Sequence, residues 1–427
     1  MDIVHERAAG IDISKRDAKV AVRVPGKRAG TFATSVTTWG ATVGQILELI
    51  DFLAAQHVTT VVMEATSDYW KPFYFLMEHS LPVMLVNARQ ARNIPGRKTD
   101  VSDAAWLAQL AAHGLLRASF VPPEPVRELR DLTRARAIAV RDRTRQVQRL
   151  EKFLESTGIK LSSVASELMG ASSRAMLDAL VAGERDPVVL AGMAKGVLRK
   201  KTPELEAALH GRFTEHHAFL VSEYLTQIDT ATGMIDRLTA RIEVAISPFR
   251  AARDALTTIP GISVTVADVI IAETGGDMTV FETPGRLASW AGVCPGQNES
   301  AGRVKSSHTR PGDKYLKAAL GVAALSVSRS KGTYLAARYR RIAARRGPIK
   351  AVVAIEHTIL IAVWHMLTTG ETYLDPGADY YTRLDPQRAK NKAIRQLQNL
   401  GYEVVITPAA PTCQGWVSPP VHSKSAL

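Results

Sequence analysis

The chain has little that would crosslink it or hold it in a membrane. Only Cys294 and Cys413 are cysteines, so a disulfide framework and a cysteine-based zinc site are excluded, as suits a reducing cytoplasm. The N-terminus lacks the apolar segment of a signal peptide. The longest apolar run, 351–366, is interrupted by Glu356, His357 and His365. It is too short and too polar to be expected to span a bilayer, so we predict a cytoplasmic protein with no membrane partner.

The composition is that of a folded, strongly basic protein. Hydrophobic residues make up 46% of the sequence, which is typical of globular rather than disordered chains. A length of 427 residues favours two or three domains. The formal net charge is +13, and a folded protein this basic usually binds a polyanion such as nucleic acid.

The first segment alternates strand and helix patterns. Two β-runs span 10–24 around a polar turn at 14–17, and further short β-runs are predicted at 31–36, 59–65 and 82–87. Helical spacing is found at 43–57, 70–79 and 102–115. The resulting order β-β-β-α-β-α-β-α predicts an α/β domain of the ribonuclease-H-like type over 1–120.

The rest of the chain is predicted to be mainly helical. Apolar residues three and four apart predict long helices over 126–154 and 205–242. They would form a coiled-coil region within 121–248, although an ordinary packed helical hairpin explains the same spacing. A compact helical domain follows at 249–372. It opens with an apolar turn at Pro260 and Gly261 that could point backbone N–H groups at a phosphate. We expect an irregular tail at 373–427.

Four carboxylates have the spacing of a metal site. Asp12 lies within an apolar strand, where a carboxylate is costly unless it is paired or bound to metal. Glu64 ends another apolar strand, and Asp100 and Asp103 are three residues apart at the start of a helix. In the predicted sheet these strands are neighbours, so the side chains would converge and suit hard cations such as Mg²⁺ or Mn²⁺. Alternatively, Asp100 or Asp103 could be a helix N-cap and Glu64 a salt-bridge partner.

Two groups of motifs resemble a known family. Residues 10–15 (GIDISK), 63–66 (MEAT) and 98–104 (KTDVSDA) resemble the DEDD motifs of the insertion-sequence transposases of the "IS one-ten" type. Residues 287–302 (LASWAGVCPGQNESAG) and the stretch through 310–316 (RPGDKYL) resemble the C-terminal signature of that family. The resemblance covers about 1–115 and 250–370, and the middle helices carry no diagnostic motif.

The resemblance implies a fold, an activity and partners. It implies a RuvC-like N-terminal domain, a coiled-coil linker and a C-terminal transposase domain in a bacterial, nucleoid-associated DNA recombinase. The implied partners are element and target DNA and a structured non-coding guide RNA. The carboxylates would be Asp12, Glu64, Asp100 and Asp103, and the nucleophile that forms a covalent phosphoserine link would be Ser300. Many relatives have two adjacent serines here, whereas this chain has Glu299 before Ser300.

The residues around Ser300 suit that role. Gly296, Ala301 and Gly302 are small enough for a phosphate to approach the backbone. A serine hydroxyl needs activation or strong electrostatics to act as a nucleophile. Nearby cations that could supply those electrostatics and bind nucleic acid are Arg303, Lys305, Arg310 and Lys314. Ser306 and Ser307 are the fallback candidates.

Other functions fit less of the sequence. A structure-specific nuclease such as a junction resolvase would use only the carboxylates and water, and would leave no protein–DNA adduct. The GIDISK motif also occurs in actin-like kinases, but no second Gly-rich phosphate loop follows. A non-catalytic nucleic-acid-binding protein would keep the acidic residues as structural groups. We therefore predict a metal-dependent transposase that works as a homo-oligomer, a dimer or a tetramer on DNA.

Overall fold

The computed structural model describes residues 3–28, 30–87, 102–296, 298–306 and 308–407. The chain divides into two compact units, residues 1–127 and 128–427. The first unit is built on a five-stranded sheet in the order β3-β2-β1-β4-β5. Its strands are β1 (Ala8–Ile13), β2 (Asp17–Pro25), β3 (Phe32–Gly40), β4 (Thr60–Glu64) and β5 (Val83–Val86).

The sheet is mixed, and its direction changes at the central strand. β1 pairs antiparallel with β2, and β2 pairs antiparallel with β3. β1 also pairs parallel with β4, which pairs parallel with β5. The helices of this unit are α1 (Val43–Ala55), α2 (Trp70–Met77) and α3 (Asp103–Ala112). The predicted order of strands and helices is therefore confirmed, whereas the closer RuvC-like assignment stays a prediction.

The alternation of residues along β1 and β4 separates two packed layers. Ala9 and Ile11 of β1 face one buried cluster together with Leu49 of α1 and Phe73 of α2. Ala8 of β1 faces the opposite layer, where it packs with residues of α3. Because side chains of a strand alternate between faces, both sides of the central strands are covered and buried.

The second unit begins with two long helices. α4 (Glu124–Thr157) and α9 (Glu215–Ala245) lie antiparallel, because Arg136 Nε donates to Thr239 Oγ1 and Arg143 Nε donates to Thr232 Oγ1, both at 2.8 Å. Short helices between them complete a buried apolar cluster. They are α5 (Leu161–Val164), α6 (Ala171–Val181), α7 (Pro187–Gly192), a 3₁₀ turn (Gly196–Lys201) and α8 (Thr202–Leu209). The pair fits the helical hairpin, and its coiled-coil geometry stays a prediction.

The prediction of a single helix over 205–242 is wrong at its N-terminal end. Leu205 and Leu209 belong to α8, and α9 starts only at Glu215. The chain turns between them because Thr214 caps α9, its backbone N–H donating to His217 Nδ1 at 3.1 Å. Gly211 fits this turn closely, since a Cβ there would lie 2.7 Å from the carbonyl oxygen of Thr157.

The C-terminal part of the second unit is a helical layer with a short hairpin. Two 3₁₀ turns (Ser247–Phe249 and Met278–Val280) join its elements. The helices are α10 (Arg250–Thr257), α11 (Val264–Thr274), α12 (Pro284–Trp290), α13 (Lys314–Arg329), α14 (Tyr334–Arg346), α15 (Pro348–Thr369), α16 (Tyr380–Leu384) and α17 (Pro386–Asn399). The hairpin strands are β6 (Asn298–Ser300) and β7 (Arg303–Ser306).

Two expectations for this region need correction. Residues 380–399 were expected to be irregular but form helices, because Asp385 caps α17 by accepting from the N–H of Arg388, and Pro386 suits the first helical turn. The apolar run at 351–366 belongs to the longer α15, which is long and apolar enough to cross a membrane by length and composition. However, Ile355, Ile359 and Val363 of α15 are buried within the protein.

Candidate active site

Asp12 and Glu64 lie at the ends of two neighbouring parallel strands. The register pairs Gly10 with Val62 and Ile11 with Met63, so each carboxylate follows the last of these pairs by one residue. Val62 faces the layer of α3, and Glu64, two residues later, shares that face. By the same alternation, Asp12 shares the face of Ala8 and Gly10. Asp12 is half-buried and Glu64 is 8% exposed.

Asp103 approaches the same face from above the sheet. It is the first residue of α3, and this helix lies directly on β1 at Gly10. A Cβ at Gly10 would lie 2.2 Å from the carbonyl oxygen of Ala104 and 2.4 Å from the backbone nitrogen of Ala108. Only glycine allows this approach, which holds Asp103 near the end of the strand that carries Asp12.

The start of α3 also shows whether Asp103 is the N-cap of this helix. Ser102 is the N-cap, and its Oγ accepts a hydrogen bond from the N–H of Ala105 at 3.3 Å. Asp103 is therefore a first-turn residue and not the cap. Asp100 lies outside the described residues. Within the ranges that are described, no three His, Cys, Asp or Glu side chains form a metal-ligand group, so the four-carboxylate site stays a prediction.

Ser300 ends β6 at the tip of the hairpin. It pairs with Arg303 across a two-residue turn made by Ala301 (φ 51°) and Gly302 (φ 74°). Positive φ at both central positions is the geometry of a type I′ hairpin turn. Ala301 pays a steric cost there that glycine would not. Ser300, Ala301, Gly302 and Arg303 are all exposed, so the hydroxyl is accessible to a large substrate.

The base of the hairpin segment is clamped by two glycines and a lysine. A Cβ at Gly292 would lie 2.7 Å from the carbonyl oxygen of Arg310, and one at Gly312 would lie 2.3 Å from that of Ala291. Lys317 Nζ donates to the carbonyl oxygen of Gly292 at 3.1 Å and to Thr309 Oγ1 at 3.0 Å. The two ends of the exposed segment are therefore fixed on α13.

A buried ionic network supports α13 from below. Glu273 of α11 is fully buried and accepts two hydrogen bonds from Arg134 of α4, at 2.8 and 2.7 Å. Arg134 also lies 3.3 Å from Asp313, which caps α13 by accepting from the N–H groups of Tyr315 and Leu316. Burial raises the pKa of Glu273, although its hydrogen bonds with Arg134 oppose that shift. Sequence reasoning missed these residues, because 139 positions separate Arg134 from Glu273.

The turn at Pro260 and Gly261 joins α10 to α11, as predicted. Gly261 has a φ of 94°, and a Cβ there would lie 2.7 Å from the carbonyl oxygen of Ala323 in α13. Close packing of the turn on α13 is thus sufficient to require this glycine. Its contact with a phosphate remains a prediction.

The predicted nucleic-acid contacts form an exposed basic surface. Arg303 and Lys305 lie on β7, Arg310 follows the hairpin, and Lys314 begins α13. All four side chains are exposed. Lys314 Nζ lies 5.1 Å from the ring centre of Tyr315. The arrangement can attract a phosphate backbone along the hairpin.

The first unit is an α/β sheet, and the mainly helical second unit carries an exposed basic hairpin that suits the binding of nucleic acid. Family models of transposases match the chain in two places, residues 9–159 and, for the IS116/IS110/IS902 family, residues 253–340. The 42 kDa protein of insertion element IS900 from Mycobacterium paratuberculosis is 31% identical over 65% of this chain and 73% of its own length. The transposase for insertion sequence element IS1111A from Coxiella burnetii is 23% identical over 76% of this chain and 82% of its own. The chain belongs to the IS110 family of insertion-sequence transposases.

Proposed function

We propose that this transposase excises and inserts its insertion sequence through a covalent link between Ser300 and DNA. The observation that carries the proposal is the position of Ser300, exposed at the tip of a hairpin whose base is fixed by Gly292, Gly312 and Lys317. A nucleophile on such a support can reach a phosphodiester while its own backbone is held.

The chemical step conserves the energy of the phosphodiester. Ser300 Oγ attacks the phosphorus, an O–P bond to serine forms, and the bond to the leaving deoxyribose oxygen breaks. The proton lost by the serine hydroxyl balances the proton gained by the leaving oxygen. Attack by a deoxyribose hydroxyl on the phosphoserine reverses the step, so strands are rejoined without ATP.

The exposed cations would bind the DNA substrate and stabilise the negative charge that develops on the phosphate in the transition state. Arg303 lies directly opposite Ser300 in the hairpin, so its guanidinium is the first candidate to stabilise the negative charge of the transition state. Lys305, Arg310 and Lys314 would contact neighbouring phosphates. Element and target DNA, and a structured non-coding guide RNA, are the partners proposed for this surface and for the net charge of +13.

The carboxylates are proposed to hold Mg²⁺ or Mn²⁺. Asp12 and Glu64 share one face at the end of adjacent strands, Asp103 starts the helix above that face, and oxygen donors of this kind fit a hard cation. Asp100 is proposed as the fourth ligand. When bound, such an ion supplies positive charge to a phosphate oxygen. The protein's own part is to hold the carboxylates in place through the packing of Gly10 under α3.

The alternative is a junction-resolving nuclease that uses the carboxylates alone. The placement of Asp12, Glu64 and Asp103 on the sheet and helix of the first unit favours it, because that placement does not depend on Ser300. Covalency separates the two functions, since hydrolysis by water leaves no adduct.

We propose a homo-oligomer, because exchange of strands needs more than one nucleophile.

The decisive test is to trap the adduct. The full-length protein is incubated with DNA carrying the element and its flanks, the RNA transcribed from the element, and Mg²⁺, and denatured protein is analysed for DNA-linked peptides. We expect an adduct at Ser300 that Ser300→Ala abolishes. Ser289→Ala, an exposed serine of α12 outside the hairpin, is the matched control and should keep the adduct.

Each other outcome identifies a different error. An adduct at Ser306 or Ser307 would contradict the choice of nucleophile. DNA cleavage without any adduct would support the nuclease instead. Full activity of Asp12→Asn or Glu64→Gln would contradict the role of the carboxylates.

A further inference from the structure

A groove of about 810 Å³ lies at the base of the hairpin, on the side away from its tip. One wall comes from the hairpin segment and the other from α14 and α15. Its lining residues are Val293, Pro295, Ser306, His308, Thr309, Arg338, Arg346, Ile349, Lys350, Val353, Ala354 and His357. The volume lies within the range of pockets that bind small organic ligands, on the order of 300–1,000 Å³.

The lining divides into an apolar part and a cationic part. Pro295 and Val353 give an apolar surface over the buried Val293, and Ile349 adds a side chain that is 81% exposed. Arg346 and Lys350 are exposed on the other side, and no ion pair to either is seen among residues 3–28, 30–87, 102–296, 298–306 and 308–407. A ligand that matches both parts has an apolar body and a negative charge.

The walls of the groove are held in place. Gly296 N–H donates to the carbonyl oxygen of His308 at 3.1 Å, and a Cβ at Gly296 would lie 2.4 Å from that oxygen. Arg338 donates to Tyr334 Oη at 3.4 Å and to Tyr381 Oη at 3.2 Å. The groove is thus preformed, which lowers the entropy lost on binding.

The two histidines suit a nucleobase. Burial, together with the charge of Arg338, lowers the pKa of His357, so its half-buried imidazole is neutral at neutral pH. A neutral imidazole has one donor and one acceptor for the edge of a base. His308 is exposed at the other wall, and its ring can stack on a base. The lining includes no carboxylate, so a phosphate meets no repulsion from these residues.

The groove is close enough to Ser300 to take part in the same reaction. Ser306 lines the groove and pairs with Asn298, two residues before Ser300. At about 3.4 Å per residue, Asn298 and Ser300 are about 7 Å apart along the strand. This is about two base-pair rises of 3.4 Å each. The edge of the groove at Ser306 therefore lies within a few nucleotide spacings of a phosphate at the serine.

We infer that this groove receives an unstacked nucleotide next to the scissile phosphate, with the base against Val353 and Pro295 and its phosphate on Arg346 and Lys350. The inference rests on the proposed role of Ser300 for its position in the reaction, but not for binding itself. Removing a base from the stack would position the strand at the nucleophile and would fix which phosphate is attacked.

Photocrosslinking tests the inference on the full-length protein. The probe is a short single-stranded oligothymidylate that carries one 5-iodouracil, and crosslinked peptides are identified by mass spectrometry. We expect crosslinks at His308, His357 or residues 349–354. The double variant Arg346→Ala/Lys350→Ala should reduce these crosslinks at least about fivefold. It should also reduce the slope of log K against log salt concentration by about 1.4, because each lost phosphate contact to a single strand changes that slope by about 0.7.

A matched control separates the groove from general attraction. Arg340→Ala/Arg345→Ala removes the same charge from exposed positions of α14 that do not line the groove, so its crosslinks should stay in the groove. Val353→Trp fills the floor and should abolish them. If that variant folds poorly, Ile349→Glu places a negative charge on the exposed rim without disturbing packing and should reduce them as well.

The result can be told apart from a failure of the proposed function. Ser300→Ala should lose the covalent adduct but keep the groove crosslinks. Crosslinks that map outside the groove, or that survive both Val353→Trp and Ile349→Glu, would overturn the inference. A Ser300 adduct in the same preparation would then show that only the nucleotide-binding role is wrong.

Discussion

The two regions with proposed catalytic roles are supported in opposite ways. The carboxylates Asp12 and Glu64 end buried strands of a sheet that is covered on both faces, and small residues allow α3 to pack directly on β1. Ser300 stands on an exposed two-stranded hairpin, and its support comes from hydrogen bonds and buried charges beneath it. The first region depends on close packing, whereas the second combines the close approach at Gly292 and Gly312 with polar contacts.

This difference suits the two kinds of chemistry. A carboxylate site must keep several negative charges close together, and a close-packed sheet edge resists their repulsion. A nucleophile that becomes bonded to DNA must reach a bulky substrate and release it again, which an exposed hairpin permits. The comparison predicts that each region fails through a different physical cause when its support is changed.

The largest effect is expected from Arg134→Met, which breaks the buried network below the hairpin. Glu273 would lose both hydrogen bonds from Arg134 while remaining fully buried. Breaking a buried ion pair on one side costs about 3–5 kcal/mol, and Arg130, at 3.2 Å from Glu273, should keep the loss near the lower value. Thermal unfolding of the second unit, followed by hydrogen exchange of α11 and α13, measures it.

The matched control for this prediction is Arg136→Met in the same helix. Arg136 is half-buried, and its Nε donates to Thr239 Oγ1 of α9 in an exposed hydrogen bond, so its loss should cost about 1 kcal/mol or less. Equal losses from the two variants would show that the buried network contributes no more than a surface hydrogen bond. That result would contradict the role given to polar contacts in supporting the hairpin region.

A smaller effect is expected from Gly10→Ala, which disturbs the packed region. The new Cβ would lie 2.2 Å from the carbonyl oxygen of Ala104, so α3 must move away from β1. Overpacking of this kind costs about 1–3 kcal/mol, and the same movement would displace Asp103 from the carboxylate edge. Hydrogen exchange of the β1 and α3 amides should increase, while exchange in α13 should not change.

Gly44→Ala gives the control for that variant. Gly44 lies in α1 of the same unit, and a Cβ there has no atom within 4 Å. Alanine favours a helix over glycine by about 0.5–1 kcal/mol, so this substitution should stabilise the unit slightly. A destabilised Gly44→Ala, or a neutral Gly10→Ala, would contradict the role given to close packing.

Periodicity predicted the packed region better than the polar one. The alternation around Asp12 and the short apolar strand before Glu64 are local signals, and the order of strands and helices along the chain follows from such signals. The contacts Arg134–Glu273 and Lys317–Gly292 join residues that no local pattern connects. The break before α9 was missed because Leu205 and Leu209 keep the helical spacing across it, although a capping residue, Thr214, marks the start of the next helix.

The smallest effect is expected at the turn of the hairpin, where the comparison becomes most specific. Ala301 has a φ of 51°, and left-handed backbone costs a residue with a Cβ about 1–2 kcal/mol relative to glycine. Ala301→Gly removes this strain but also frees the unfolded chain, so the net gain should be at most about 1 kcal/mol. If Ser300 is held by the base of the hairpin, its adduct should form at a similar rate in Ala301→Gly. If the strained turn itself orients the Ser300 hydroxyl, the rate of adduct formation should fall although the hairpin is more stable. Hydrogen exchange of the hairpin amides and the rate of adduct formation, measured in parallel, distinguish these results.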